Sequence, residues 1–241
     1  MRIAVSSDWH LDRYTAGLCR YEDIARSARA VVALAKSERC DGFVFMGDLA
    51  DPGPAAHRCS AFAIEAASDL AGAGIWSRWL VGNHDVVEDG SGSSTLSPLA
   101  AAGVSYRARV WTEPLIEVLS GLEIVMVALP HPARGRGYIP TEVIVTAAVD
   151  DELVKVVLVF GHLTVPGIEP GSETREMPRG REVRYPVEAI RKRWGDRAVM
   201  LNGHYHRSYR RAESPVIVPG SLERLTKGEA GNAPGCLILE V

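Results

Sequence analysis

The sequence predicts an α/β fold built around a largely parallel sheet, and three observations predict it. Short apolar runs alternate with stretches of helical periodicity through the early part of the chain. Each of those runs ends abruptly in a polar cluster. The later part then changes to closely spaced strands, which suggests a second sheet packed on the first.

The elements follow in order. Ile3-Ala4-Val5, closed by Ser6-Ser7-Asp8, reads as a buried strand. Residues 20 to 39 place Ile24, Ala28, Val31 and Ala35 on one face at helical spacing, with Arg26, Arg29 and Lys36 elsewhere. Phe43 to Met46 is a second strand, stopped by Gly47-Asp48. A second helix covers about 55 to 73 and stops near Gly72. A third strand, Trp76 to Val81, runs into Gly82-Asn83-His84-Asp85. This βαβαβ order implies parallel pairing, and ligands of such sheets sit at the carboxyl ends of the strands. Further strands are predicted at Leu122 to Leu129, Leu153 to Phe160, Ala198 to Leu201, Val216 to Val218 and Cys236 to Val241. Helices are predicted near Thr141 to Val149 and Pro186 to Trp194, with a long loop over 163 to 184. With neither repeats nor a low-complexity linker, residues 1–241 read as a single domain.

Composition bounds the function. The 27 Lys plus Arg against 30 Asp plus Glu give a net charge of -3, which argues against affinity from a globally basic surface. No window approaches the roughly 18 apolar residues of a membrane span. Asp8 stands where a signal peptide would still be hydrophobic, so a soluble, cytoplasmic protein is expected. Cys19, Cys40, Cys59 and Cys236 are scattered without CxxC spacing and read as reduced thiols.

The strand ends carry Asp8 and His10, Asp48, Asn83 and His84, His162, then His204 and His206, which hold five of the seven histidines. A lone strand-end histidine is ordinarily a cap or a satisfied core group. This many polar clusters on one rim call for a common purpose. Carboxylate oxygens and neutral imidazoles suit hard or borderline dications. A carboxylate can bridge two ions, and a glycine before a ligand lets the chain turn and approach closely. Two ions about 3.5 to 4 Å apart acidify a shared water and clamp a phosphoryl group. The donor set thus points to a binuclear hydrolase.

Asp8-Trp9-His10, Gly47-Asp48-Leu49-Ala50-Asp51, Gly82-Asn83-His84-Asp85, Gly161-His162 and Gly203-His204-Tyr205-His206 resemble, in order and spacing, the calcineurin-like metallophosphoesterase superfamily. The resemblance covers residue 3 to about 225 and implies a four-layer αββα sandwich of two mixed sheets flanked by helices. It implies that Asp8, His10, Asp48 and His206 hold one divalent ion, and that Asp48 bridges to a second, completed by Asn83, His162 and His204. It leaves His84 free of metal, to protonate the leaving oxygen or stabilise its charge. Asp51 stands where the phosphatase branch has an Asp that orients this histidine; the alternative is a turn residue before Pro52-Gly53.

The start at Ser7 and the stretch Pro219 to Leu225 are similar to SbcD-type nucleases. The sixteen residues beyond Leu225 hold a last predicted strand, so the DNA-binding cap of those nucleases is not expected. The implied activity is metal-dependent hydrolysis of nucleotide or nucleic-acid phosphodiesters by a metal-bridging hydroxide. The alternatives are a small-molecule phosphoesterase, either a cyclic-nucleotide phosphodiesterase or a phosphomonoesterase, and a non-catalytic scaffold of the same fold. A protein Ser/Thr phosphatase shares the Asp-x-His and Gly-Asn-His motifs but has longer flanking signatures. The nuclease-like resemblance implies Mn2+, while the donors themselves equally admit Fe2+, Zn2+, Co2+ and Ni2+.

Substrate contacts are drawn from the later part of the chain. Residues 131 to 211 hold 14 Lys plus Arg against 10 Asp plus Glu, a net of +4. Arg175, Arg179, Arg181 and Arg184 lie in the long loop after His162, where guanidinium forks suit phosphate oxygens. Arg191-Lys192-Arg193 reads as a solvated helix face. His131, in Leu129-Pro130-His131-Pro132, is either a substrate contact or loop polarity. His57 reads as a solvated residue near a helix start, Asp85 as a loop support, and Trp9, Trp76 and Trp79 as core.

Overall fold

The computed structural model describes residues 1–51, 55–87, 91–119, 123–133, 137–149, 152–168, 183–210 and 215–241. In chain order its elements are β1 (Arg2–Ser6), β2 (Tyr14–Thr15), β3 (Leu18–Cys19), α1 (Tyr21–Ser37), β4 (Gly42–Phe45), α2 (Ala56–Gly72), β5 (Trp76–Leu80), α3 (Ser97–Ala102) and β6 (Ala108–Trp111). They continue with β7 (Leu115–Leu119), β8 (Ile124–Leu129), α4 (Pro140–Thr146), β9 (Val156–Gly161), α5 (Val187–Trp194), β10 (Ala198–Asn202), β11 (Val216–Ile217) and β12 (Leu237–Glu240).

Two mixed sheets result. The first runs β12-β1-β4-β5-β6, parallel except for antiparallel β12; the second runs β11-β10-β9-β8-β7, parallel except for antiparallel β7. Strand alternation sorts side chains into three apolar layers. Ile3, Val5, Val44, Met46 and Leu80 face Met126, Leu158, Phe160 and Leu201 between the sheets. On the opposite face of the first sheet, Phe43, Phe45 and Trp79 pack with Trp9 against α1 and α2. Val125, Val127, Val157 and Val159 pack against Ile144 of α4 and Ile190 and Trp194 of α5. The layers are therefore αββα, and the central strands read as continuous apolar runs because both faces are covered.

Several elements depart from the sequence reading. The Cys236–Val241 strand belongs to the first sheet, where Leu239 pairs with Ile3. The edge strands β6 and β7 and the β2–β3 hairpin were not predicted. Their sequences lack a continuous apolar run because an edge tolerates charge: Arg78 of β5 pairs with Glu117 of β7, Nε to Oε2 at 2.9 Å. The tryptophans fit the core reading. Trp9 and Trp79 are fully buried, and Trp76 packs partly buried against the inter-sheet layer.

Candidate metal centre

The parallel strands of both sheets present their carboxyl ends to one place. Asp8 and His10 follow β1, Asp48 follows β4, Asn83 and His84 follow β5, His162 follows β9, and His204 and His206 follow β10. Backbone bonds lace these exits together: Asp8 N donates to Gly47 O at 2.9 Å, His10 N to Asp48 O at 3.0 Å, and Gly203 N to Gly161 O at 2.9 Å. The exits are strained. Asp8, His10, Asp48 and His204 all adopt positive φ (53°, 44°, 60° and 75°), an unusual choice for non-glycine residues. Gly82 serves close approach: a Cβ there would stand 2.2 Å from Asp48 Oδ1 and 2.5 Å from Asp48 N.

The side chains meet in two linked groups. In one, His206 Nε2 lies 3.2 Å from His10 Nε2, and Asp8, His10 and His206 each bring a donor atom within 4.8 Å of the others. In the other, Asn83 Oδ1 lies 3.0 Å from His162 Nε2 and 2.9 Å from His204 Nδ1. Asp48 joins them, its Oδ2 being 3.6 Å from His10 Nε2 and 3.2 Å from His162 Nε2. Its Oδ1 accepts the backbone N–H of His84 at 2.8 Å.

This arrangement fits cations. Asp8 Oδ2 is buried with no hydrogen-bond partner among the described residues, while its Oδ1 accepts the His204 N–H at 3.1 Å. Two imidazole nitrogens, His10 Nε2 and His206 Nε2, face each other at 3.2 Å beside that carboxylate. Burial pushes the Asp8 carboxyl up, against the pull of His162 and His206. Burial acts the same way on Asp48, but His162 and His84 outweigh it and hold that carboxyl well below the usual range. Burial, reinforced by His162, depresses His204 to about 3, leaving a neutral imidazole. Burial opposes charge on His162 and His206 too, but Asp48 raises the first to about 9 and Glu229 raises the second, so these two imidazoles hold a proton that a bound cation would displace. Carboxylates and imidazoles buried together are the donor set of a dication site once those protons leave.

His84 stands at the mouth, its side chain 43% exposed. Its Nδ1 lies 2.5 Å from Asp51 Oδ1, and His10 Nδ1 lies 3.4 Å from the same oxygen. The structure therefore brings Asp51 to His84 rather than leaving it as a turn residue. Burial opposes the charge on His84, but Asp48 and Asp51 overcome it and raise the imidazole to about 9. Arg13 approaches Asp51 Oδ2 at 3.4 Å, and Asp12 Oδ1 accepts the Asp51 backbone N–H at 2.9 Å.

The remaining expectations resolve as follows. His131 lies against this centre, yet both ring nitrogens are buried without a well-formed hydrogen bond among the described residues. Burial, then repulsion from His162, lowers it to about 4. That burial favours a wall position over a substrate contact. His57 is exposed in the first turn of α2. Arg175, Arg179 and Arg181 fall outside the described residues. Arg184, Arg191, Lys192 and Arg193 line a groove of about 960 Å³ between α4 and α5, and none of the clustered donors lines it. Arg193 is not free on a solvated face, since it donates to the Ile144 and Ala147 carbonyls at 2.5 and 2.8 Å. Sequence reasoning missed Glu229, a fully buried carboxylate 3.0 Å from His206 Nδ1. It lies 23 residues downstream, outside any motif, so only the fold reveals it.

A profile of calcineurin-like phosphoesterases matches residues 1–227. The chain belongs to the calcineurin-like phosphoesterase family. Among solved structures, this phosphoesterase is similar in fold to a dimetal phosphatase from Danio rerio, at 15% identity and a TM-score of 0.59, covering 92% of this chain and 87% of the other. It is likewise similar to TT1561 of Thermus thermophilus, at 14% identity and a TM-score of 0.53, covering 91% and 89%. No curated protein sequence matches it. The phosphoesterase is a metal-dependent enzyme, and its family implies two divalent ions. Among the described residues, no helix is long and apolar enough to cross a membrane.

Proposed function

We propose that this phosphoesterase hydrolyses nucleotide or nucleic-acid phosphodiesters, using two divalent ions held by seven side chains. Asp8, His10, Asp48 and His206 would hold one ion; Asn83, His162 and His204, with Asp48 shared, would hold the other. The observation that carries this reading is Asp48 Oδ2 standing between His10 and His162, where one carboxylate serves both groups. When bound, the ions supply Lewis acidity and a water acidified for attack on phosphorus.

The chain's own residues do the rest. Asn83 offers a neutral oxygen among carboxylates, which limits the negative charge facing an anionic ester. His84 is half-buried with much of its ring open, while His10, His162 and His204 are buried and His206 nearly so, which leaves His84 as the one poised to meet the leaving group. With Nδ1 turned to Asp51, Nε2 is left to give a proton to the departing oxygen. Asp51 keeps that ring oriented and basic, as a triad carboxylate does for its histidine. The donors suit Mn2+, and equally Fe2+, Zn2+, Co2+ or Ni2+. A cytoplasmic setting is part of this reading, in keeping with four cysteines scattered without CxxC spacing.

A diester preference rests on the similarity of Pro219 to Leu225 to SbcD-type nucleases. The Asp51–His84 pair supports a second reading, a small-molecule phosphoesterase including a phosphomonoesterase, because that pairing marks the phosphatase branch. A scaffold role would not require an intact donor set. Parallel assays of bis(p-nitrophenyl) phosphate and p-nitrophenyl phosphate with Mn2+ decide between the readings. The diester is expected to turn over faster, with EDTA abolishing both activities. A monoester preference would overturn the diester assignment.

A further inference from the structure

Each imidazole in a metal site has a second nitrogen, and what that nitrogen bonds to fixes the ring's tautomer and plane. His162 turns its Nδ1 to the Met46 carbonyl at 2.7 Å, a backbone lock. Among the described residues, His206 turns to no such carbonyl. Its Nε2 faces His10 and its Nδ1 faces Glu229 Oε1 at 3.0 Å.

Glu229 is a carboxylate with no solvent exposure, a costly placement unless every lone pair is used. Oε2 accepts the Leu225 backbone N–H at 2.8 Å, and Oε1 accepts the Thr226 hydroxyl at 3.3 Å as well as facing His206. The backbone holds the carboxylate there: Glu229 N donates to Thr226 O at 3.2 Å and Asn232 N to Glu229 O at 2.8 Å. Ser221 N donates to the carbonyl of His206 itself, at 3.0 Å. The connection from β11 to β12 thus folds back onto His206 from both its backbone and its ring. Glu229 also lies two residues past the span that matches the family.

We propose that Glu229 is the positioning residue for His206: it accepts Nδ1–H, fixes that tautomer, and aims the Nε2 lone pair into the centre. This rests on the reading of His206 as a ligand. A loop anchor alone would need the Leu225 and Thr226 bonds and no third donor. The carboxylate is required because it offers an acceptor on each side. A glutamine at 229 has one. If its oxygen meets the Leu225 N–H, its NH2 meets His206 Nδ1, which must then accept and move the ring proton to Nε2, blocking the metal-facing lone pair.

The test has two readouts. The first is the tautomer of the neutral imidazole, read in the metal-free protein at alkaline pH where the ring has lost its second proton, from long-range 15N–1H correlation spectra, with His206 identified by loss of its signals in H206Q. Wild-type His206 should carry its proton on Nδ1, and in E229Q an Nε2–H population should appear. The second is metal content by elemental analysis after equilibration with buffered Mn2+. E229Q should lose affinity for one of two ions by about 10–100-fold and keep the other near its wild-type affinity. A wild-type His206 protonated on Nε2, or an E229Q protein with unchanged tautomer and unchanged affinity, overturns the proposal. Wild-type protein that binds fewer than two ions would instead overturn the metal-centre reading, while the tautomer still judges Glu229. Should E229A or E229Q fail to fold, the wild-type tautomer alone decides.

Discussion

The buried carboxylate of Asp85 grips the backbone of Asp48. Asp85 Oδ2 accepts the Asp48 N–H at 2.9 Å and the Gly82 N–H at 2.9 Å, while Oδ1 accepts the Leu49 N–H at 2.9 Å and the Thr95 hydroxyl at 2.6 Å. One side chain therefore clamps the exits of β4 and β5 together, and with them Asp48 and Asn83. Asp85→Ala strands buried donors and should cost about 3 kcal/mol of metal-free stability, read by urea denaturation. Metal content should fall with it, because the two exits are no longer held in register. Unchanged stability in D85A would show that the loops hold themselves.

His84 and Asp51 should act as a unit. His84→Ala is expected to keep both ions and lose about 10²–10⁴-fold in turnover, measured with saturating Mn2+. Asp51→Asn should lower turnover in the wild-type background and do much less in the His84→Ala background, since residues acting together are not additive. Equal losses in both backgrounds would mean that Asp51 works through His10, 3.4 Å away, rather than through His84.

Much of the fold was legible because the central strands are buried on both faces, so Phe43 to Met46 and Ile124 to Leu129 stand out as apolar runs. Edge strands hide: Glu117 and Arg109 break the pattern where solvent or an ion pair accepts them. The last strand was visible but its partner was not, because pairing Leu239 with Ile3 closes a span no local signal encodes. In the site, the strand-end motifs placed Asp8, His10, Asp48, Asn83, His84, His162, His204 and His206 at one rim. The supporting groups divide on the same ground. Asp51 and Asp85 sit inside motifs and could be singled out, whereas Glu229 and Arg13 act across the fold on residues far away in sequence.

Asp48→Asn should remove the affinity for both ions together, because Oδ2 stands between the two groups. Ions that bind only the folded chain stabilise it by mass action, by about 2.7 kcal/mol at a hundredfold excess over Kd. Wild-type protein should therefore show a Tm that rises with Mn2+ and falls back on EDTA, while Asp48→Asn should show little rise. A variant that still binds one ion at wild-type affinity would move the bridging role elsewhere.

His131 gives the metal-free protein a sensitivity to acid. Its imidazole, held at about 4 by burial and by repulsion from His162 and His84, is only partly helped by Asp48 and the Pro132 carbonyl. The unfolded chain protonates the same residue near 6.5. Between those values the unfolded state binds more protons, so stability is full above about pH 6.5 and is lost as the pH falls toward 4. The loss should be about 1 to 3 kcal/mol, allowing for the solvent that a partly buried ring retains. In His131→Leu that share of the acid sensitivity should vanish, so wild-type and variant stabilities measured by urea denaturation from pH 7 to pH 4 should converge or cross. Parallel curves over that range would place His131 in contact with water and would remove it from the wall of the site.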